Sequence, residues 1–164
     1  MTTARHDFPV AESTDIYRGK VMALRADEVV MPGGLLDVAG EDPLETARRE
    51  LREEAGLEAA EWAVLLDVAP SPGFSDESVR VFLARGLTEV GRPEGHDDEE
   101  ADLTTRWVTL SVAVRMVLAG TIVNGVTAAA VLATHAVTGS PAALRATDAP
   151  WPDRPTRFAA HERD

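Results

Sequence analysis

The stretch GLLDVAGEDPLETARRELREEAGL, residues 34–57, decides the fold. It reads as a loop, a sharply capped helix and a stop. Asp42 can accept a backbone hydrogen bond as the N-cap, Pro43 suits the first helical position, and Glu45 completes a capping box with Asp42. Leu44, Ala47, Leu51 and Ala55 recur at three- and four-residue spacing and give the helix one apolar face. Gly56 stands where a helix ends in a left-handed residue, the conformation glycine adopts most easily.

Glu50, Glu53 and Glu54 lie on one flank of this helix, beside the apolar stripe. Like charges at these spacings repel by about 0.2–0.5 kcal/mol per pair, and the helix dipole disfavours anions in the last turn. A solvated acidic face is the ordinary reading of such a helix, with Arg48, Arg49 and Arg52 close enough to offset the repulsion. The sharper reading is a hard divalent cation held by several oxygens. Mg2+ takes few protein carboxylates and keeps positions for water and a substrate phosphate. On that reading the helix is half of a metal site for phosphate chemistry.

Glu41, seven intervening residues, and then Arg49-Glu50-Leu51-Arg52-Glu53-Glu54-Ala55-Gly56-Leu57 resemble the signature box of the Nudix hydrolases. Every defined position from Glu41 to Leu57 matches. The one departure is in front, where Gly34 and Glu41 stand one residue further apart than in the usual pattern. An insertion in that loop leaves the helix carboxylates where they are. The resemblance implies an α/β fold, a Nudix-type α/β/α sandwich around a mixed sheet. It implies Glu50 and Glu54 as the main metal ligands, Glu53 assisting directly or through water, and the carbonyl of Gly33 or Gly34 as a further ligand. The implied cofactor is Mg2+, with Mn2+ as a substitute. Glu53 and Arg49 also enter as catalytic residues, Arg49 by orienting the carboxylates through an ion pair. Glu41 stands beside them as a supporting residue or a ligand.

A chain of 164 residues is one domain with room for a sizeable core. Its 45% hydrophobic and 27% charged content is that of a soluble globular protein. The absence of cysteine excludes disulfides and thiolate metal sites. No apolar run approaches the ~20 residues of a membrane span. The polar start lacks the apolar core of a secretion signal, so a cytoplasmic protein without membrane contact is expected. The net charge of −12, with one lysine among sixteen basic residues, would repel a nucleic-acid backbone. A small anionic ligand is still accessible where a metal reverses the field locally.

Residues 1–13 read as a loose arm. Residues 15–30 alternate moderately through Ile16, Val21, Ala23 and Val29, enough for one or two short strands, and residues 31–34 form a turn. Nudix proteins of the ADP-ribose pyrophosphatase type resemble this beginning, then carry further strands before the box, one with an arginine that contacts substrate. Here the chain passes almost directly from Met31-Pro32-Gly33 into the box. At typical strand and turn lengths, roughly 30–50 residues of expected core are absent. The sheet is therefore expected to be incomplete, through a deletion, a shortened gene product, or strands supplied by a partner. Exposed edges would invite association.

Beyond the box, residues 62–68 read as a strand, residues 71–74 as a Pro-Gly turn, and residues 78–84 as an alternating strand with Val79, Val81 and Leu83 on one face. The pair resembles a hairpin. Pro72, at this distance beyond the box, is similar to the mark of Nudix enzymes acting on ADP-ribose. Pro72, Gly73, Phe74 and Ser75 are thus the implied substrate-binding residues, against the plain alternative of a tight turn. Residues 91–102, GRPEGHDDEEAD, are by composition a solvated acidic loop. The resemblance places there a glutamate that closes over the site and helps activate water, with Glu99 first and Glu100 next. His96 is a weaker candidate base. Residues 103–110 read as a strand with Trp107 and Val108, and Ser111 as the cap of a helix to about Leu118. A second helix runs from Asn124 to about Val137, with His135 structural. The domain reads as residues 1–138, and residues 139–164 as an irregular surface tail whose Trp151 and Phe158 can dock on the body or on a neighbour.

The activity implied is Mg2+-dependent cleavage of ADP-ribose or a related nucleoside diphosphate sugar to AMP and a sugar phosphate, by a homodimer whose N-terminal strands cross to the partner. The competing expectation is a catalytically impaired Nudix remnant that binds metal or nucleotide, or acts as an interaction domain.

Overall fold

In chain order the elements are β1 (Arg18–Arg25), β2 (Glu28–Val30), β3 (Gly33–Leu35), α1 (Pro43–Ala55), β4 (Leu57–Val68), β5 (Val79–Glu89), β6 (Val108–Thr109), α2 (Leu110–Leu118) and α3 (Gly125–Thr138). The computed structural model describes residues 18–25, 28–30, 33–35, 42–73, 75, 77–93, 107–138 and 144–154. Glu41, Phe74, His96, Glu99, Glu100 and Phe158 lie outside the described residues.

The sheet has the strand order β4-β5-β1-β2-β6, with β3 also paired to β1. β1 runs parallel to β5, whereas the other pairings are antiparallel, so the sheet is mixed. β1 thus sits in the interior of its own chain's sheet, Lys20 opposite Val81 and Ala23 opposite Ala84.

β5 is the strand on which both layers rest. Val79, Val81 and Leu83 point to one face and pack with Leu110, Ala113, Val126, Ala130 and Val131 of α2 and α3. Phe82 and Ala84 point to the other and pack with Ala47 and Leu51 of α1. The sequence suggests one buried face; both are buried, because a strand covered by helices on each side has no solvent face left. The α/β/α sandwich follows from that alternation.

β4 starts at Leu57, directly after the helix stop, and pairs with β5 over its length. The pairing shifts register between Val64 and Leu66, where one residue of β4 is extra. Trp62 and Val64 therefore pack on the α1 side, while Leu66 and Val68 pack on the α2/α3 side.

Local chemistry explains the helix ends. Asp42 is extended (φ −69°, ψ 133°) and its Oδ1 accepts from the Leu44 N–H at 2.8 Å, with Pro43 in the first turn. The expected capping box differs in detail: the Asp42 side chain bonds one residue earlier than Glu45, and the Glu45 carboxylate pairs with Arg48. α2 is capped by Thr109, whose Oγ1 accepts from the Val112 N–H at 3.4 Å, and not by Ser111, which is already inside the helix. Its first residue is Leu110, so among the described residues of the expected strand Val108 and Thr109 are strand, and residues 103–106 lie outside the described residues. Asn124 caps α3 through the Thr127 N–H at 2.9 Å. His135 is exposed.

Gly56 (φ 66°, ψ 31°) ends α1, its N–H donating to Arg52 O, and its carbonyl accepts from the N–H groups of Val90 and Gly91 at 2.9 and 3.2 Å. A Cβ there would meet the Gly91 carbonyl carbon at 3.1 Å and the Arg92 nitrogen at 3.2 Å. Gly56→Ala is expected to cost about 2–3 kcal/mol, combining left-handed strain with backbone crowding. Gly120→Ala (φ 72°, no atom within 4 Å) should cost only about 1 kcal/mol. Urea unfolding midpoints compare the two; equal losses would show that the Gly91 contact carries no weight.

Candidate active site

Burial of Ala47 and Leu51 orients α1, and that orientation carries the acidic flank to the rim of the buried layer. The Glu50 and Glu53 side chains are 12% and 20% exposed, and Arg49 Nη1 lies 2.9 Å from Glu50 Oε1 and 2.9 Å from Glu53 Oε2. Glu54 is half-buried on the same helix. The acidic residues are thus not splayed into bulk water. Arg48 and Arg52 point outward, Arg48 to Glu45 and Arg52 to Glu58 at 3.5 Å, leaving Arg49 as the cation set between Glu50 and Glu53.

Glu50 and Glu53 present hard oxygen donors at the rim of the buried layer. Among the described residues no group of three or more acidic or histidine side chains gathers closely enough to enclose a metal by itself. Mg2+ does not need such a cage, because it binds through one or two carboxylates and fills its octahedron with water and phosphate oxygens. The donors fit that ion. Gly34 lies on β3, opposite Gly19 of β1, in a strand that packs beside α1.

Arg49 and Glu53 line an open cavity of about 710 Å3 together with Arg48, Arg52, Glu58 and Trp62. Pro93 closes part of its wall, just beyond the Gly56 carbonyl that anchors Val90 and Gly91. The root of the acidic 91–102 loop is therefore tied to the end of α1. Glu50 and Glu54 do not line this cavity.

Ser71, Pro72, Gly73 and Ser75 do not line this cavity. They follow the far end of β4, whose twelve residues at ~3.3 Å each separate them from the stop of α1. Pro72 and Gly73 are exposed, the Ser75 N–H donates to Ser71 O at 3.0 Å, and Ser75 Oγ accepts from the Glu77 N–H at 3.0 Å.

A charged cluster beside that loop escapes the sequence reading. Arg80, inside β5, is 3% exposed. Its Nε and Nη2 donate to the two oxygens of Asp67 at 2.8 and 3.1 Å, and Arg145 Nη1 donates to Asp67 Oδ2 at 2.7 Å. A lone arginine within the apolar alternation of residues 79–84 is the one signal that could have exposed it. Burial would raise the Asp67 carboxyl, but the hydrogen bonds and positive charges of Arg80 and Arg145 outweigh burial, so Asp67 ionises below its ordinary value of 3.8. A depressed folded pKa contributes stability above the unfolded value and loses it as pH falls through the folded one. Wild type is expected to lose more stability than Asp67→Asn between pH 5 and pH 2–3, while at pH 7 the variant should be weaker by about 1–3 kcal/mol. Urea titrations at several pH values check both; parallel pH curves would remove Asp67 from the linkage.

A mixed sheet between one box-bearing helix and a helix pair, with arginine set between half-buried glutamates, defines an α/β/α hydrolase sandwich. The NUDIX domain family model matches residues 16–125, and the chain belongs to the Nudix family. By that membership it is a pyrophosphohydrolase. It is 46% identical to an ADP-ribose pyrophosphatase of Mycobacterium tuberculosis (strain ATCC 25618 / H37Rv) over 202 residues, covering 96% of this chain and 97% of the relative. It is 37% identical to an ADP-ribose pyrophosphatase of Bacillus subtilis (strain 168) over 103 residues, covering 63% of this chain and 55% of the relative. A solved ADP compounds hydrolase shares the fold, with a TM-score of 0.66 at 18% identity over 77% of this chain and 74% of that one. The mycobacterial alignment spans 202 positions, more than the 164 residues available here, yet reaches nearly the whole of both proteins. The relative therefore holds internal residues without counterpart in this chain, consistent with an incomplete sandwich.

Proposed function

We propose that the chain hydrolyses the pyrophosphate bond of ADP-ribose or a related nucleoside diphosphate sugar, giving AMP and a sugar phosphate, with Mg2+ as cofactor and Mn2+ able to replace it. The observation that carries this reading is the pair of half-buried glutamates on one guanidinium, in a chain 46% identical to an ADP-ribose pyrophosphatase. Glu50 and Glu54 would hold the ion, with Glu53 and the Gly34 carbonyl assisting. When bound, the metal neutralises the diphosphate and lowers the pKa of water. Arg49 fixes the rotamers of Glu50 and Glu53 through its ion pairs. A glutamate of the acidic loop, Glu99 or Glu100, takes a proton from the attacking water as its oxygen bonds to phosphorus and the bridging P–O bond breaks. The loop is rooted at Gly56, within reach of the helix end. Pro72, Gly73, Phe74 and Ser75 contact the part of the substrate remote from the reacting phosphorus.

The reading extends to a homodimer in the cytoplasm acting on a small molecule and not on nucleic acid. Its support is the incomplete sheet, the net charge of −12, and the lack, among the described residues, of a helix long and apolar enough to cross a membrane. One observation favours a second reading, an impaired remnant that binds metal or nucleotide without turnover: the internal residues present in the relative and absent here.

AMP release from ADP-ribose is expected with Mg2+ and not with a chelator present. Glu50→Gln and Glu54→Gln should each lower kcat/KM by about a hundredfold or more, the scale of several kcal/mol of lost charge stabilisation. Mg2+ should also raise the melting temperature of the wild type by mass action. A folded wild type that releases no AMP, yet is stabilised by Mg2+, would establish the remnant.

A further inference from the structure

The C-terminal segment reaches both roots of the loop between β4 and β5. Those strands last pair at Val68 and Val79. Asp67 precedes the first of these, and Ser78 and Arg80 flank the second. The buried Arg80 guanidinium, besides its two bonds to Asp67, donates from Nη1 to Ala149 O at 2.8 Å and from Nη2 to Pro150 O at 3.1 Å. The Trp151 ring lies against it, with the guanidinium carbon 4.5 Å from the ring centroid, and Trp151 Nε1–H donates to Ser78 Oγ at 3.0 Å. Arg145 completes the attachment: its guanidinium donates to Asp67, and its carbonyl accepts from the Val64 N–H at 3.0 Å.

This pattern does more than fasten a tail. A tail can dock by apolar contact alone, whereas here its carbonyls and its indole N–H satisfy the polar groups at the base of one particular loop. The described bonds of the loop, Ser75 to Ser71 and Glu77 to Ser75, are local, and the cluster at Asp67, Ser78 and Arg80 holds its two roots together. We propose that residues 144–151 are a strap that fixes the conformation of residues 71–75, with Trp151 and Arg80 as positioning residues for substrate binding. The kinetic part rests on the proposed role of that loop in contacting the nucleotide sugar; the ordering of the loop does not.

Hydrogen exchange on the full chain, beside steady-state kinetics with ADP-ribose and Mg2+, tests the strap. In Trp151→Ala, exchange of the Ser75 and Glu77 amides should accelerate by about tenfold or more, with the Phe82 and Leu83 amides unchanged. KM should rise about fivefold or more while kcat stays within about twofold. Trp151→Phe keeps the ring over Arg80 and should recover most of both effects. Ser78→Ala, which removes only the indole's acceptor, should show a smaller change in the same direction and serves if Trp151→Ala does not fold. Unchanged loop exchange in the Ala variants, or acceleration spread equally over β5, would overturn the strap and leave the segment a mere cover. If wild type releases no AMP, the functional reading fails, and the exchange data still decide the strap.

Discussion

β5 is covered on both faces, and the rest of the structure depends on that constraint. Phe82 and Ala84 need an apolar partner on one side, and Val79, Val81 and Leu83 need one on the other. α1 and the α2/α3 pair meet those needs, while β4 and β1 satisfy its backbone along both edges. A strand so enclosed gives a polar side chain no route to water, and an unpaired charge there would be very costly. Arg80 is tolerated because every direction in which its guanidinium points meets an acceptor or an aromatic face.

On the α1 side the same burial has a chemical result. Packing Leu51 to zero exposure leaves the helix no freedom to rotate, so Glu50 and Glu53 are held at the edge of the apolar layer. Partial desolvation strengthens their attraction to any nearby cation. Arg49 bridges the two carboxylates and holds them side by side.

α1 is legible from sequence because its cap, stripe and stop are all local: Asp42, Leu51 and Gly56 each announce their role within one or two turns. The β4–β5 pairing is legible from the Pro72-Gly73 turn and the flanking alternation. The Arg80 cluster is not, since its partners Ala149, Pro150 and Trp151 lie about seventy residues away along the chain and carry no periodic signal. The cap of α2 misleads because Thr109 and Ser111 are both good caps, and the choice is made by where β6 ends. Pro72, Gly73 and Ser75 follow the acidic helix closely in sequence but do not line the same cavity, since the length of β4 lies between them along the chain.

The register shift in β4 has a further consequence. With the extra residue, Asp67 stands opposite Arg80 and Leu66 opposite Val81. Were the bulge straightened with every residue kept, the pairing beyond Val64 would slip by one and each side chain would change sides: Leu66 would stand opposite Arg80, and Asp67 opposite Val79. The pairing beyond this point therefore tolerates loss of Leu65, which would leave the same partners opposite one another, but not a straightening of the strand at its present length, which would interchange grease and charge across the sheet.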